Sequence, residues 1–365
     1  MDDYAEALRM NIHKATQEYE QWIGKYLKLI PADLKLKHQA MASGIFPFFR
    51  ATFYRWMQHW PEVCADLEKA PKILAVGDLH VENFGTWRDA EGRLIWGIND
   101  FDEAATLPYT LDLVRLAASA HLAIDGAHLK LEHQDACAAI LNGYREGLAT
   151  GGNPFVLSES HIWLREMVHG VLRDPCHFWT KMDALKTIRT AVPGSATKAM
   201  ERLMPEKDLA YRVAHRIAGL GSLGRERYVA VGEYDGGKIA REAKALAPSA
   251  CIWAEDGKGD EIRYQEILDT AIRCVDPFVK LRQEWIVRRL APDCSRVELD
   301  QIPKVRDESK LLFAMGFETA NVHLGSARAG KAIAKDFAKR PKKWLHEAAT
   351  AMGKVMRHDW DEWKG

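Results

Sequence analysis

GDLHVENFG at residues 77–85 and INDFDEA at residues 98–104 decide how this chain is read. Ile73 to Val76 is a short apolar strand running into the first of these loops. Phe84 to Trp87 and Leu94 to Ile98 flank the turn RDAEGR, a pattern that predicts a β-hairpin between two acidic loops. Asn83 follows Asp78 by five residues, and Asp100-Phe101-Asp102 begins 17 residues after Asn83. Phosphoryl transfer needs a carboxylate beside the acceptor hydroxyl and oxygen ligands for Mg²⁺ beside the phosphates. One loop carrying an Asp and an Asn supplies both, and a hairpin returns a second Asp to the same ion. That geometry assigns Asp78 as base, with His80 beside it in the acidic loop, and Asn83, Asp100 and Asp102 as metal ligands. Two other readings stand beside it. Asp, Asn and Gly favour turns for reasons unrelated to catalysis. The D-x-H pair of Asp78 and His80 also suits a metal-dependent phosphoesterase, although no GNH-type loop follows to complete its ligand set.

Further along, Gly219-Leu220-Gly221-Ser222-Leu223-Gly224 spells GxGxxG. A dinucleotide fold requires a helix directly after such glycines. Here RERYVAVGEY alternates like a strand, DGG turns, and KIAREAKAL begins another strand. A glycine loop on a β-hairpin is the kinase arrangement, which assigns Gly219, Gly221, Ser222 and Gly224 to the phosphates. Kinases place a Lys on the third strand. The expected position here is Arg241, with Lys238 and Lys244 as neighbouring substitutes. A Glu from the following helix should pair with that cation, and Glu261 and Glu266 are the candidates, Glu266 being assigned to the nucleotide site.

The remaining chain frames these motifs. Helical periodicity covers 4–29, 48–69 with a break at Pro61, and 111–149; 159–204 is mostly helical with breaks at Pro175 and Pro193. Residues 211–244 are predicted as strands, 260–274 as a helix, 284–290 as a strand, and 306–338 and 341–363 as helices. Lys+Arg and Asp+Glu both number 51, so the chain lacks the basic excess of a dedicated nucleic-acid binder. Six scattered cysteines without a CxxC pair fit reduced thiols. There is no membrane-length apolar run and no basic-then-apolar leader, so the expected location is the cytoplasm. Trp22, Trp56, Trp60, Trp163 and Trp179 are expected in cores, and Arg50 and Arg55 either reach phosphate or lie on a helix surface.

Taken together, GDLHVENFG and INDFDEA resemble the catalytic and metal loops of aminoglycoside phosphotransferases and choline kinases, and Asp112 in LPYTLDLVRLAAS resembles the structural Asp that follows them. More closely, MASGIFPFFRATFYRW, VGDLHVENFG, INDFDEA, LDLVRLAAS, GLGSLGRERYV and REA resemble the bacterial domain of unknown function 2252. The likeness runs from about residue 41 to 243 and weakly through EWIVRRL and the helix containing ETANVHLGSA. That family looks like a permuted member of the kinase superfamily, since the catalytic loop precedes the glycine loop. The resemblance implies an α+β, bilobal kinase-like fold in permuted order. Residues 1–205 would form a helical lobe with the catalytic and metal loops, 206–292 a small β-rich nucleotide-binding lobe, and 293–365 helices returning to the first lobe. It implies ATP and Mg²⁺ as cofactors and a small-molecule or protein hydroxyl as acceptor; the balanced charge and the lack of a membrane-length apolar run leave neither nucleic acid nor membrane as an expected partner. Its chief departure is Arg241 where the family shows Lys, which motivates a second reading as a non-catalytic nucleotide-binding regulator.

Overall fold

The computed structural model describes residues 10–158, 160–169, 174–255, 259–294, 296, 298–299, 307–326 and 329–365. It is a mixed α+β structure. Four helices open it: α1 (Ile12–Ile23), α2 (Pro31–Ser43), α3 (Ile45–Ala51) and α4 (Phe53–Val63). The Asn11 side chain caps α1 by accepting from the Lys14 amide at 2.8 Å. The helix expected over 4–29 therefore stops at Ile23, and its first residues, 1–9, lie outside the described residues. The break expected at Pro61 falls instead at Thr52, whose φ of −125° and ψ of 41° interrupt the helix while its hydroxyl donates to the Phe48 carbonyl at 2.7 Å. Pro61 sits in the last turns of α4, where its missing N–H removes a single ladder bond.

β1 (Lys72–Ala75) enters the first acidic loop and pairs antiparallel with β4 (Ala105–Pro108), a strand the sequence reading left out. Between them lies the expected hairpin of β2 (Phe84–Arg88) and β3 (Leu94–Ile98), in register Phe84↔Ile98, with the short β5 (Phe155–Val156) added to β3. The single helical run expected over 111–149 is α5 (Tyr109–Asp125) and α6 (His133–Thr150), divided at Gly126. Three shorter helices follow, α7 (Ile162–His169), α8 (Pro175–Asp183) and α9 (Gly194–Glu201), the last two beginning at the predicted proline breaks.

Residues 211–290 supply a five-stranded antiparallel sheet of β6 (Tyr211–His215), β7 (Arg227–Tyr234), β8 (Gly237–Ala245), β9 (Lys280–Arg282) and β10 (Trp285–Leu290). Its order is β6-β7-β8-β10-β9. α10 (Ala250–Ala254) and α11 (Tyr264–Thr270) connect β8 to β9; the helix expected over 260–274 is only the seven residues of α11. The chain closes with α12 (Glu308–His323), α13 (Gly330–Phe337) and α14 (Trp344–Lys364), so the run expected over 306–338 is two helices.

Two contacts organise the helices. α6 and α12 cross at glycines: a Cβ at Gly143 would lie 1.8 Å from the Phe313 carbonyl oxygen, and one at Gly316 would lie 2.1 Å from that of Ile140. The last helix returns to the first: the Ile12 amide donates to Glu362 at 3.2 Å, and Asp359 accepts from Arg55 Nε at 2.8 Å while bonding His59 at 2.7 Å. Arg55 thus ties α4 to α14 rather than reaching a ligand. Of the five tryptophans expected in cores, Trp56 and Trp60 are fully buried, Trp22 and Trp163 pack half-buried against the main core, and Trp179 packs against a small second cluster.

Gly316→Ala should force α6 and α12 apart, and overpacking of this kind costs about 1–3 kcal/mol. A clear fall in the urea midpoint is expected. An unchanged midpoint would show that the two backbones do not approach as closely as described.

Candidate active site

The first acidic loop is held from beneath by one helix. Gly77 has φ +83°, and a Cβ there would lie 2.4 Å from the Glu103 carbonyl oxygen, so the turn out of β1 requires glycine. The amides of Val76 and Gly77 donate to the two oxygens of Asp112 on α5, at 2.8 and 2.9 Å. Asp112 is fully buried, and its Oδ2 also bonds Nε2 of His323 on α12 at 2.9 Å, whose Nδ1 meets the Tyr144 hydroxyl at 2.8 Å. One turn further along α5, Arg115 aims Nε and Nη2 at Oδ1 of Asp78, at 3.0 and 2.6 Å. Asp112 therefore fixes the loop backbone, and Arg115 fixes the carboxylate that the loop carries.

Asn83 locks the two acidic loops together. Its side-chain Nδ2 donates to the carbonyl oxygens of Asp78, at 3.0 Å, and Asp100, at 3.3 Å. Using the nitrogen for backbone leaves the amide oxygen as the remaining acceptor on a residue that lines the cavity. Lys244 on β8, whose side chain is 1% exposed, reaches across to Asp100 Oδ1 at 3.1 Å and Asp102 Oδ1 at 2.6 Å. The two aspartates are not equivalent. Asp100 has a side-chain exposure of 38%, against 11% for Asp102, so Asp100 is the one open to a ligand. Burial opposes the charge on Asp100, but Lys244 and a hydrogen bond from Asp102 hold its pKa below the ordinary value. Burial and the Asp100 charge push Asp102 up to about 6, so of the two it is the first to be protonated as the pH falls.

The glycine loop joins β6 to β7 and faces the same cavity. Gly219, Leu220, Gly221 and Ser222 line a space of ≈ 340 Å³ together with Asp78, His80, Asn83, Asp100 and Asp102. A Cβ at Gly221 would lie 3.8 Å from Oδ2 of Asp78. The loop is tied down: Lys37 on α2 donates to the Gly221 carbonyl at 3.1 Å, and the Ile30 amide donates to that of Gly224 at 2.8 Å. The amides of Ser222 and Leu223 turn inward onto the carbonyls of Gly219 and Leu220, at 3.1 and 3.2 Å. Gly224 is absent from the cavity lining. Its φ of +96°, and Leu34 lying 2.4 Å from where a Cβ would be, make it a packing glycine.

Two residues assigned to the nucleotide lie elsewhere. Strand alternation places Glu242 and Lys244 on one face of β8 and Arg241 on the other, where Arg241 donates to the Leu203 carbonyl at 2.8 Å and stacks over Phe278. Lys244 holds the position expected of Arg241. Glu266 is bound on both oxygens by Arg263, three residues before it, at 2.8 Å on the exposed face of α11. His80 stays in the loop as a neutral imidazole, because burial and the charges of Arg50, Arg115 and Arg296 hold its pKa well below the ordinary value. Its Nδ1 accepts the Glu82 amide at 3.2 Å. Arg50 does reach the cavity, where it pairs with Glu82.

Sequence reading missed the arginines of the sheet wall. Register puts Val229 and Arg288 beside Glu242, and Arg227 beside Lys244. Glu242, fully buried, receives Arg227 at 3.0 Å, Arg288 at 2.8 Å and Arg216. Burial alone would raise its pKa, yet these three guanidiniums hold it well below the carboxylate range. One carboxylate cannot neutralise three cations. Among the described lining residues nine basic side chains face six acidic ones, so this cavity is set up for an anion although the whole chain is neutral. Arg227 opens an otherwise apolar stretch of β7, and Arg288 and Arg289 are adjacent in β10, so no strand-period charge pattern announced them.

Residues 29–177 match the family model described as "Uncharacterized protein conserved in bacteria (DUF2252)". The match supports that family over the segment holding Asp78, Asn83, Asp100, Asp112 and Arg115, and it ends before the glycine loop. No curated protein and no solved structure matches the chain. Among the described residues, no helix is long and apolar enough to cross a membrane.

Glu103 gives a test of the site's electrostatics. It accepts the Ala250 amide at 2.7 Å and faces Arg225 at 3.3 Å, and burial still pushes it up to about 7 from an ordinary 4.5. A carboxyl whose pKa is raised on folding binds more protons when folded, so its contribution to stability declines as pH rises from about 4.5 to 7. Glu103→Gln removes that decline while keeping the shape. The variant should therefore gain stability relative to the native chain between pH 5 and pH 8, as read by urea unfolding. A difference that does not change with pH would contradict the assignment.

Proposed function

We propose that this protein is a kinase-like, ATP- and Mg²⁺-dependent phosphotransferase acting on a small-molecule or protein hydroxyl. The observation that carries the reading is that Asp78, Asn83 and Asp100 share one cavity with a glycine loop lying more than 110 residues later in the chain. Nothing in the packing of a stable fold requires that meeting. A triphosphate with its metal does, because its phosphates must touch both sets of groups at once. Lys244 on the third strand of the sheet, paired to Asp100, supports the reading further, since kinases draw their phosphate-binding Lys from the third strand.

The residues fit the metal. The amide oxygen of Asn83 and the open carboxylate of Asp100 are hard oxygen donors on adjoining loops, the kind of partial ligand set that Mg²⁺ completes with water and phosphate. Held by Asn83 and Asp100, the ion would supply positive charge to offset that of the phosphates. In this reading Asp78 acts as the base. Arg115 engages only its Oδ1, and burial raises its pKa against the opposing pull of Arg115, which favours proton acceptance. The guanidiniums of Arg216, Arg227 and Arg288 supply charge to the phosphates that the inward-turned amides of the glycine loop do not. Lys244 also removes the motive for a purely regulatory reading, because Arg241 does not stand in the lysine's place. The phosphoesterase reading is weakened by the commitment of His80 Nδ1 to a backbone amide and of Asp78 Oδ1 to Arg115.

Titration calorimetry with an ATP analogue should show Mg²⁺-dependent binding. Incubation with γ-labelled ATP and a bacterial metabolite extract should show label transfer. Asp78→Asn should lower transfer by about 10²–10⁴-fold with binding held within a few-fold. Lys244→Met should weaken binding or transfer at least about tenfold, while Arg241→Lys leaves both within about twofold. Binding that ignores Mg²⁺, or equal effects at 241 and 244, would overturn the reading.

A further inference from the structure

We propose that His121, Cys137 and His346 form a zinc-binding site that joins the C-terminal helix to the helices beneath the acidic loop. His121 lies on α5, Cys137 on α6 and His346 on α14, and their ligating atoms all fall within 4.8 Å of one another. His121 and Cys137 are buried and His346 is half-buried. None of the three lines the central cavity, so the inference does not depend on the phosphotransferase reading.

The donor set is selective. Imidazole nitrogen and thiolate sulfur are the ligands zinc prefers, whereas Mg²⁺ takes hard oxygens. Nε2 of His121 already sits 3.3 Å from Sγ of Cys137. Zinc bond lengths place tetrahedral ligand atoms roughly 3.3–3.8 Å apart. Closing the triangle therefore needs movements of about an ångström. The second observation is independent of proximity. Nδ1 of His346 is buried and has no hydrogen-bond partner. An unpaired ring nitrogen away from water is unfavourable, and a metal bound through Nδ1 would satisfy it.

The protonation states are consistent. Burial and the neighbouring rings of His133 and His346 lower His121 to about 4, so its imidazole is neutral and free to bind. Burial raises the Cys137 thiol to about 12, so binding the ion means releasing the thiol proton to solvent. His133 does not complete the set: its ring stacks on His121 at 4.2 Å, and its Nε2 is bonded to Asp125 at 3.0 Å. The fourth position falls to water. Asp112 and Arg115 precede His121 on the same helix, so the ion would stiffen the element that orients Asp78.

Cobalt titration of the full chain, stripped beforehand with a chelator, tests this. One equivalent of Co²⁺ should produce a thiolate-to-cobalt charge-transfer band with tetrahedral d–d absorption, and Zn²⁺ should displace it. Cys137→Ser should abolish the band, and Cys64→Ser, at another buried thiol, should leave it intact. His346→Ala changes only a half-buried position, so it remains informative if Cys137→Ser does not fold. It should weaken cobalt binding at least about tenfold, the scale on which even outer-sphere losses act. No band at all, or a band that survives unchanged in His346→Ala, overturns the site and leaves a hydrogen-bonded His–Cys pair.

Discussion

The Asp112 carboxylate is the interaction on which the rest of the site depends. It is fully buried, and three donors converge on it: two successive backbone amides from the loop after β1 and a ring nitrogen from α12. A buried charge is tolerated only when its acceptor capacity is filled. The loop cannot relax without stranding this carboxylate, and the carboxylate cannot move without releasing the loop. Because Gly77 takes the left-handed turn at the same point, the chain emerges with Asp78 already directed at Arg115. Everything that the acidic loop offers a ligand is thereby set by a group that never touches the ligand.

A second constraint is the balance of charge across the cavity. Lys244 binds two aspartates on one side, and on the other three arginines converge on one glutamate. Neither cluster is neutral. Two carboxylates face the single Lys244, which leaves Asp102 raised to about 6, and three guanidiniums face the single Glu242. A metal-bound polyphosphate presents the complement of both, a cation toward the aspartates and phosphate oxygens toward the guanidiniums. The imbalance is costly to stability and useful to binding, a combination expected of functional groups rather than structural ones.

The strands, the hairpin between the acidic loops and most helices were legible because hydrophobic period and turn chemistry are local properties. The two acidic loops were legible for the same reason, since Asp78, Asn83 and Asp100 fall within one short stretch. Arg241 was misplaced because the motif gave its position only by analogy, whereas facing is decided by strand parity. Glu242 and Lys244 share a face that Arg241 cannot share. The helix breaks at Thr52 and Gly126, and the shortness of α11, depend on tertiary packing that overrides propensity. The arginine wall was hidden because its members come from three separate segments, the loop after β6, β7 and β10, and only sheet register brings them together.

Chain order matters little to any of this. Among the described residues, no strand of the five-stranded sheet carrying Lys244 joins the two small sheets that flank the loops carrying Asp78 and Asp100. The contact between α1 and α14 brings the described ends of the chain together at Ile12 and Glu362. Ends that lie side by side are the condition under which a chain can be opened at one surface connection and closed at another without disturbing its core. His323 on Asp112 is the bond through which α12 packs beneath the acidic loop, although α12 follows that loop by more than 200 residues.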